Sequence, residues 1–212
     1  MRKPQARKSY GQFCALARSL DRVGDRWTLL IVRQLLLGPA GFGALREALP
    51  GIAKNLLAHR LVELETDGII ARSSHPQRSK AVRYELTKAG ESLEPTVLDL
   101  IRWGAQFMTT GRGSDHADPN WILLALRALL ANPMIVKPAG DLAIDVEGVE
   151  IIVSIGASGR SVSYGLTDRA KASIRAPLDQ LLAYVSTNDK ARHSRSLAIT
   201  GNAAFAKAAL KN

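Results

Sequence analysis

At 212 residues, with 46% hydrophobic and 23% charged side chains, the chain has the makeup of a folded globular protein and is long enough for one large domain or two small ones. Its single cysteine, Cys14, excludes an intramolecular disulfide framework and fits a reducing cytosol, and the longest apolar run, Trp27 to Leu37, is interrupted by Thr28, Arg33 and Gln34 and so excludes a bilayer span. The net charge of +10 is uneven: residues 1–113 hold 18 Lys+Arg against 10 Asp+Glu, or +8, while residues 114–212 hold 11 against 9, or +2, and positive charge concentrated in one half suits a polyanionic partner.

The N-terminus, MRKPQARKSYGQ, is basic, and no apolar run of signal-peptide type follows it. A cytoplasmic, nucleoid-associated protein is therefore expected. Residues 12–23 set Phe13, Leu16, Leu20 and Val23 on one helical face at steps of three and four. Gly24 punctuates, and Asp25 is placed to cap a second helix, 26–37, apolar on most sides and hence central to a core. Gly38-Pro39 stops it. A short helical segment, 42–49, closes on Pro50-Gly51, and a longer helix, 53–66, turns Leu57, Leu61 and Leu64 inward before ending at Asp67-Gly68. Two alternating runs, 69–73 and 82–87, then read as strands of a hairpin with a long basic tip over 74–81. A last helix is expected over 88–108, with Leu93, Val97, Leu98, Ile101 and Phe107 on its apolar side.

The order of these elements carries the chemistry. A short helix joined by a Pro-Gly turn to a second amphipathic helix is a helix-turn-helix, in which the first helix braces the second against a major groove. The groove-facing candidates are Lys54, Asn55, Ala58 and His59: Lys54 suits phosphate or guanine acceptors and Asn55 suits adenine. The hairpin adds Arg72, His75, Arg78, Lys80 and Arg83, a basic wing for the backbone or minor groove. Taken singly, each of these is also compatible with an ordinary solvated surface.

Residues 14–104 resemble the HxlR-type winged-helix regulators of bacteria. The resemblance rests on the runs Asp-Arg-Trp-Thr-Leu-Leu-Ile from Asp25 and Leu-Pro-Gly-Ile from Leu49, on the Leu-x-x-Arg-Leu-x-x-Leu-Glu helix from Leu57, and on the Tyr-x-Leu-Thr-x-x-Gly closure from Tyr84. It implies a homodimer built from the N-terminal helix and the long helix ending near Phe107, binding a pseudo-palindromic operator in double-stranded DNA. By position it puts Lys54, Asn55 and His59 in the recognition helix and Arg78 and Lys80 in the wing. Trp27 and Arg33 fall on the bracing helix: Trp27 suits the core, and Arg33 suits either phosphate or an intramolecular ion pair. Cys14 stands where many of these regulators carry a cysteine, in some a redox or electrophile sensor. Here Ala15 replaces the usual proline and no second cysteine is present, so a disulfide would have to be intermolecular. A buried small hydrophobe is the other reading of Cys14.

The stretch 109–119 (TTGRGSDHADP) has no apolar periodicity and is the expected boundary between a first domain, 1–110, and a second, 119–212. In the second, a helix over 120–131 precedes short runs at 142–146, 150–155, 161–166 and 172–174 that look like a meander of antiparallel strands. A helix over 177–185, a strand over 196–200 and a final helix follow. This order, with the ending SLAITGNAAFAKAAL, resembles the sterol carrier protein fold, although YVSTNDKARHS departs from its pattern. The resemblance implies an apolar tunnel between sheet and helices. A sensor for a small apolar effector and a filled scaffold stand open as readings, as does a hydrophobic-ligand carrier that uses the first domain only to dimerise.

No catalytic constellation stands out. Gly156, Gly159 and Gly165 do not open a helix, and the histidines at 59, 75, 116 and 193 lack ligand spacing. Ser154, Ser158, Ser161 and Ser163 lack a nucleophile-elbow context. The expected class is α+β: a winged helix-turn-helix domain followed by a small α+β domain, not an enzyme, with no metal and no cofactor.

Overall fold

The computed structural model describes residues 9–75, 79–108, 112–130, 139–157, 159–186 and 197–211, and, between 74 and 81, the backbone alone. The chain divides into two compact units, 1–97 and 98–212.

The first unit opens with α1 (Ala15–Val23), α2 (Thr28–Leu36), a two-residue strand β1 (Ala40–Gly41), α3 (Phe42–Ala48) and α4 (Lys54–Thr66). Its hairpin is β2 (Ile70–His75) and β3 (Ser79–Leu86), followed by the single turn α5 (Lys88–Glu91); α6 (Glu94–Gly104) begins in this unit and runs across the division at 97/98. The core of this unit holds Ile31, Val32, Leu35, Leu45, Leu57, Leu61, Leu64 and Ile70, all almost fully buried, and includes the stripe expected on the 53–66 helix and residues of the apolar helix expected to be central. In α1 only Ala17 is buried, so the apolar face predicted there points outward, with Phe13, Leu16 and Leu20 exposed. Asp21 ties the preceding segment to this helix by accepting from the Ser9 hydroxyl and the Tyr10 amide, both at 2.9 Å. Those donors, the Tyr10 amide above all, hold its carboxyl below the usual carboxylate range.

Three expectations are corrected. The helix predicted over 88–108 is two helices and a final 3-10 turn, Ala105–Phe107. Pro95 explains the break, because it has no N–H to give the Glu91 carbonyl and its ring crowds the preceding turn. The basic tip is shorter than expected, since the strands run on to His75 and resume at Ser79. The sheet also gains β1, paired antiparallel to β3 through Ala40↔Tyr84, giving the order β1-β3-β2.

Beyond the boundary of the units, a 3-10 turn (Pro119–Trp121) leads into α7 (Ile122–Leu129), then β4 (Gly140–Val146), β5 (Val149–Gly156), β6 (Gly159–Tyr164), β7 (Ala170–Arg175), α8 (Leu178–Ser186), β8 (Ala198–Gly201) and α9 (Ala203–Ala209). The antiparallel meander expected over this stretch is not what forms. The strand order is β6-β5-β4-β7-β8, and β7 lies parallel to β4 through Ile144↔Ile174. Only β4, β5 and β6 form a meander. After β6 the chain crosses to the other edge of β4, so β7 runs in the direction of β4, a choice that period-two patterning does not encode. The inward rows Leu142, Ile144 and Val146, and Ile151, Val153 and Ile155, are buried with Leu181, Val185 and Phe205. At the ends of the outer helices, Arg160 donates to the Leu130 and Lys211 carbonyls at 2.8 and 3.0 Å.

Candidate nucleic-acid interface

The turn between α3 and α4 sets the start of the outward-facing helix. Ile52 donates its amide to the Leu49 carbonyl at 3.2 Å, with Pro50 and Gly51 as the two central residues. Gly51 has φ +91°, as the third residue of a type II turn requires. Trp27 is half-buried and stands over this turn, its Cη2 3.8 Å from where a Gly51 Cβ would be. Ala53 then occupies the N-cap of α4, and its methyl side chain gives the first-turn amides no acceptor.

Along α4 the two sides differ sharply. Leu57, Leu61 and Leu64 retain at most 2% exposure, whereas Lys54, Asn55, Ala58 and His59 are all exposed. The four predicted groove residues thus share one outward arc. Arg60 sits between the two sides and binds two carboxylates: Asp25 Oδ2 at 2.7 Å, ahead of α2, and Glu63 Oε2 at 2.6 Å, one turn further along α4. Because Asp25 lies outside α4, that contact ties the rotation of α4 about its own axis to the segment ahead of α2. Asp25 also accepts from the Trp27 amide at 3.0 Å, but α2 starts at Thr28 with Trp27 as its N-cap and no side-chain cap bond, so Asp25 braces the turn ahead of the helix and does not cap it as expected. His59 Nδ1 lies 3.8 Å from Glu63 Oε2.

The wing arginines are less available than the sequence implies. Arg72 pairs with Glu65 of α4 at 3.0 Å and places its guanidinium 5.8 Å from the Tyr84 ring, so it joins the hairpin to the helix. Arg83 donates to the Pro39 carbonyl, which ties β3 to the loop after α2. Arg78 lies outside the described residues, and so do the side chains of His75 and Lys80. Arg33, in the last turn of α2, is half-buried, which restricts its reach toward a phosphate.

The hairpin closes through Thr87. Its hydroxyl donates to the Gly68 carbonyl at 2.5 Å and accepts from the Gly90 amide at 3.2 Å. A Cβ on Gly90 would collide with the Ile69 carbonyl oxygen and stand 2.9 Å from Leu86 Cδ2, which is the physical reason the Leu-Thr-x-x-Gly run ends in glycine. Cys14, at the N-cap of α1, is exposed and forms no formal cap bond. The Ala17 and Leu16 amides near its sulfur nonetheless favour the thiolate and lower its pKa.

The Leu-x-x-Arg-Leu-x-x-Leu-Glu run contains Arg60 and Glu65, but their pairing partners are not legible in it, and nothing in the sequence pattern marks Val62. The i,i+3 spacing of Arg60 and Glu63 is visible in the sequence, but Asp25 and Arg72 reach α4 only through the tertiary fold. Among the described residues no cluster of His, Cys, Asp or Glu is arranged to hold a metal, and no helix is long and apolar enough to cross a membrane.

A family model described as HxlR-like helix-turn-helix matches residues 22–112. The chain is 33% identical over 98 residues to an uncharacterised HTH-type transcriptional regulator of Synechocystis, which spans 46% of this chain and 73% of that protein. It is 34% identical over 94 residues to YdeP of Bacillus subtilis, another uncharacterised HTH-type transcriptional regulator, covering 44% and 73% of the two. Among solved structures, the reduced form of the transcriptional regulator YodB from B. subtilis is 34% identical and covers 47% of this chain and 99% of that one, with a TM-score of 0.41.

Proposed function

The chain belongs, over residues 22–112, to the HxlR-like helix-turn-helix family of transcriptional regulators, and from that premise we propose that it is a homodimeric repressor whose two α4 helices read a pseudo-palindromic operator. The observation that carries this reading is the outward arc of α4, which exposes Lys54, Asn55, Ala58 and His59 while the opposite stripe is buried. Lys54, Asn55 and His59 contact base edges, and Arg78 and Lys80 of the wing neutralise phosphates. Arg72 and Arg83 orient the wing and contribute to its field.

Dimerisation is supported by two apolar faces, each described on its own element. Phe13 and Leu16 of the first are 104% and 66% exposed, and Trp103, Phe107 and Met108 of the second are 63–65% exposed. A second copy of the chain would remove both from water and set the two α4 helices about one DNA turn apart. Bound operator then blocks polymerase.

The first domain in this reading covers 1–110, and the second, 119–212, is a sterol-carrier-protein-like module that takes a small apolar effector. The five-stranded sheet with α7, α8 and α9 supports such a module. Cys14 is a second input, exposed and biased toward thiolate.

The test is binding of the purified protein to DNA flanking its own gene across a salt series. A two-fold symmetric footprint with a steep salt slope is expected. Lys54→Ala and Asn55→Ala weaken operator binding selectively, while neutralising Arg78 and Lys80 weakens all DNA binding and lowers the slope by about one unit each. An unchanged slope refutes the role given to the wing, and the lack of any preferred duplex refutes operator reading altogether.

A further inference from the structure

One row on the outward face of α4 is not filled as a solvated face would be. Asn55, Ala58 and Val62 follow one another at steps of three and four and therefore lie on a single strip of the helix. All three are exposed, Val62 to 51%. Lys54 borders this strip on one side and His59 on the other. The neighbouring polar groups are already engaged, since the Thr66 hydroxyl donates to the Val62 carbonyl at 2.8 Å and Glu65 pairs with Arg72.

A valine in this position runs against both solvation and helix propensity, because a branched Cβ loses χ1 freedom in a helix where Lys, Glu or Gln loses little. The same restriction presents its two methyl groups in one fixed direction. From Asn55 to Val62 the helix rises about 10 Å, the height of about three stacked base pairs. The apolar feature that a major groove offers at this depth is the thymine 5-methyl group. Asn55, on the same strip, has the amide that pairs with adenine N6 and N7, so adenine and methyl readout fall on the same short run of A·T pairs.

Resting on the reading of α4 as the recognition helix, we propose that Val62, together with Ala58, determines operator specificity by packing against thymine methyl groups, and that each half-site carries A·T pairs beneath the middle of α4. Lys54 and His59 then hold the flanks of the same half-site.

The experiment uses the full-length protein. Duplexes are selected from a random library, and each thymine of the selected half-site is replaced in turn by deoxyuridine, which removes the methyl group and leaves base pairing intact. At one or two positions the wild-type protein should lose roughly fourfold in affinity per methyl. Val62→Ala, which improves helix propensity at an exposed site and so preserves the fold, should bind the parent duplex more weakly and lose that discrimination. Val62→Thr should retain part of it. A selected site without thymine in the half-site, or equal discrimination by wild type and Val62→Ala, overturns the proposal while leaving α4 as the recognition helix. A Val62→Ala chain that changes its state of association without changing its response to deoxyuridine assigns the strip to a protein contact and also overturns it. Failure to enrich any duplex removes the recognition-helix reading and this proposal with it.

Discussion

Removing Arg60 tests whether the orientation of α4 is built into the fold. Arg60 binds Asp25 at 2.7 Å and Glu63 at 2.6 Å, and the three side chains keep 26%, 27% and 29% of their exposure. A hydrogen bond to a charged group contributes about 1.5–3 kcal/mol where water is excluded, and an exposed ion pair about 0.2–1 kcal/mol. Partial exposure puts each contact near 1 kcal/mol. Arg60→Ala removes both contacts and the packing of the alkyl stem and leaves two carboxylates without their cation, for a loss of about 2–3 kcal/mol. In a unit of about 100 residues that lowers the melting temperature by roughly 10 °C or more.

The two carboxylates separate stability from positioning. Glu63 lies on α4 itself and cannot orient that helix, whereas Asp25 reaches it from ahead of α2. Asp25→Asn should therefore cost operator affinity more than Glu63→Gln at a similar loss of stability. Urea unfolding followed by Trp27 fluorescence, in a Trp103→Phe/Trp121→Phe background, reports the first unit. A double-mutant cycle over Asp25 and Arg60 should give a coupling of about 1 kcal/mol. A coupling below about 0.3 kcal/mol, or equal operator affinities for the two carboxylate variants, refutes the orienting role.

Gly90→Ala should be strongly destabilising, because its Cβ meets a backbone carbonyl that closes the hairpin; a thermal melt close to wild type would show that the β3–α5 corner yields easily. Phe13→Glu or Leu16→Glu should shift the proposed dimer toward monomer in sedimentation with the far-ultraviolet spectrum preserved, since both side chains are exposed in the single chain; an unchanged state of association would move the proposed interface away from α1. For Cys14, the lowered pKa means that thiolate forms at lower pH than in an unstructured peptide, so alkylation by iodoacetamide should reach half its maximal rate at a correspondingly lower pH. A Cys14→Ser control reports background, and a profile matching the unstructured peptide would rule out activation by the α1 amides.

Much of the first unit is legible in the chain because its signals are local. The 3.6-residue spacing of Leu57, Leu61 and Leu64, the turn chemistry of Pro50-Gly51 and the alternation around Tyr84 each report their own surroundings, and together they place Lys54, Asn55, Ala58 and His59 on one outward arc. What the sequence leaves open depends on partners distant in the chain. The same periodicity that marks Phe13, Leu16 and Leu20 as one face does not say whether that face meets this chain's own core, and the fold leaves it exposed. Arg72 and Arg83 read as wing charges until Glu65 and the Pro39 carbonyl come within reach of them. Asp25 and Arg60 stand 35 positions apart, and only the tertiary fold, which brings the segment ahead of α2 to the side of α4, makes them a pair. In the second unit, alternation identifies the strands but not their direction, because a parallel and an antiparallel neighbour bury the same face. The crossing of the chain from β6 to the far side of β4 decided that.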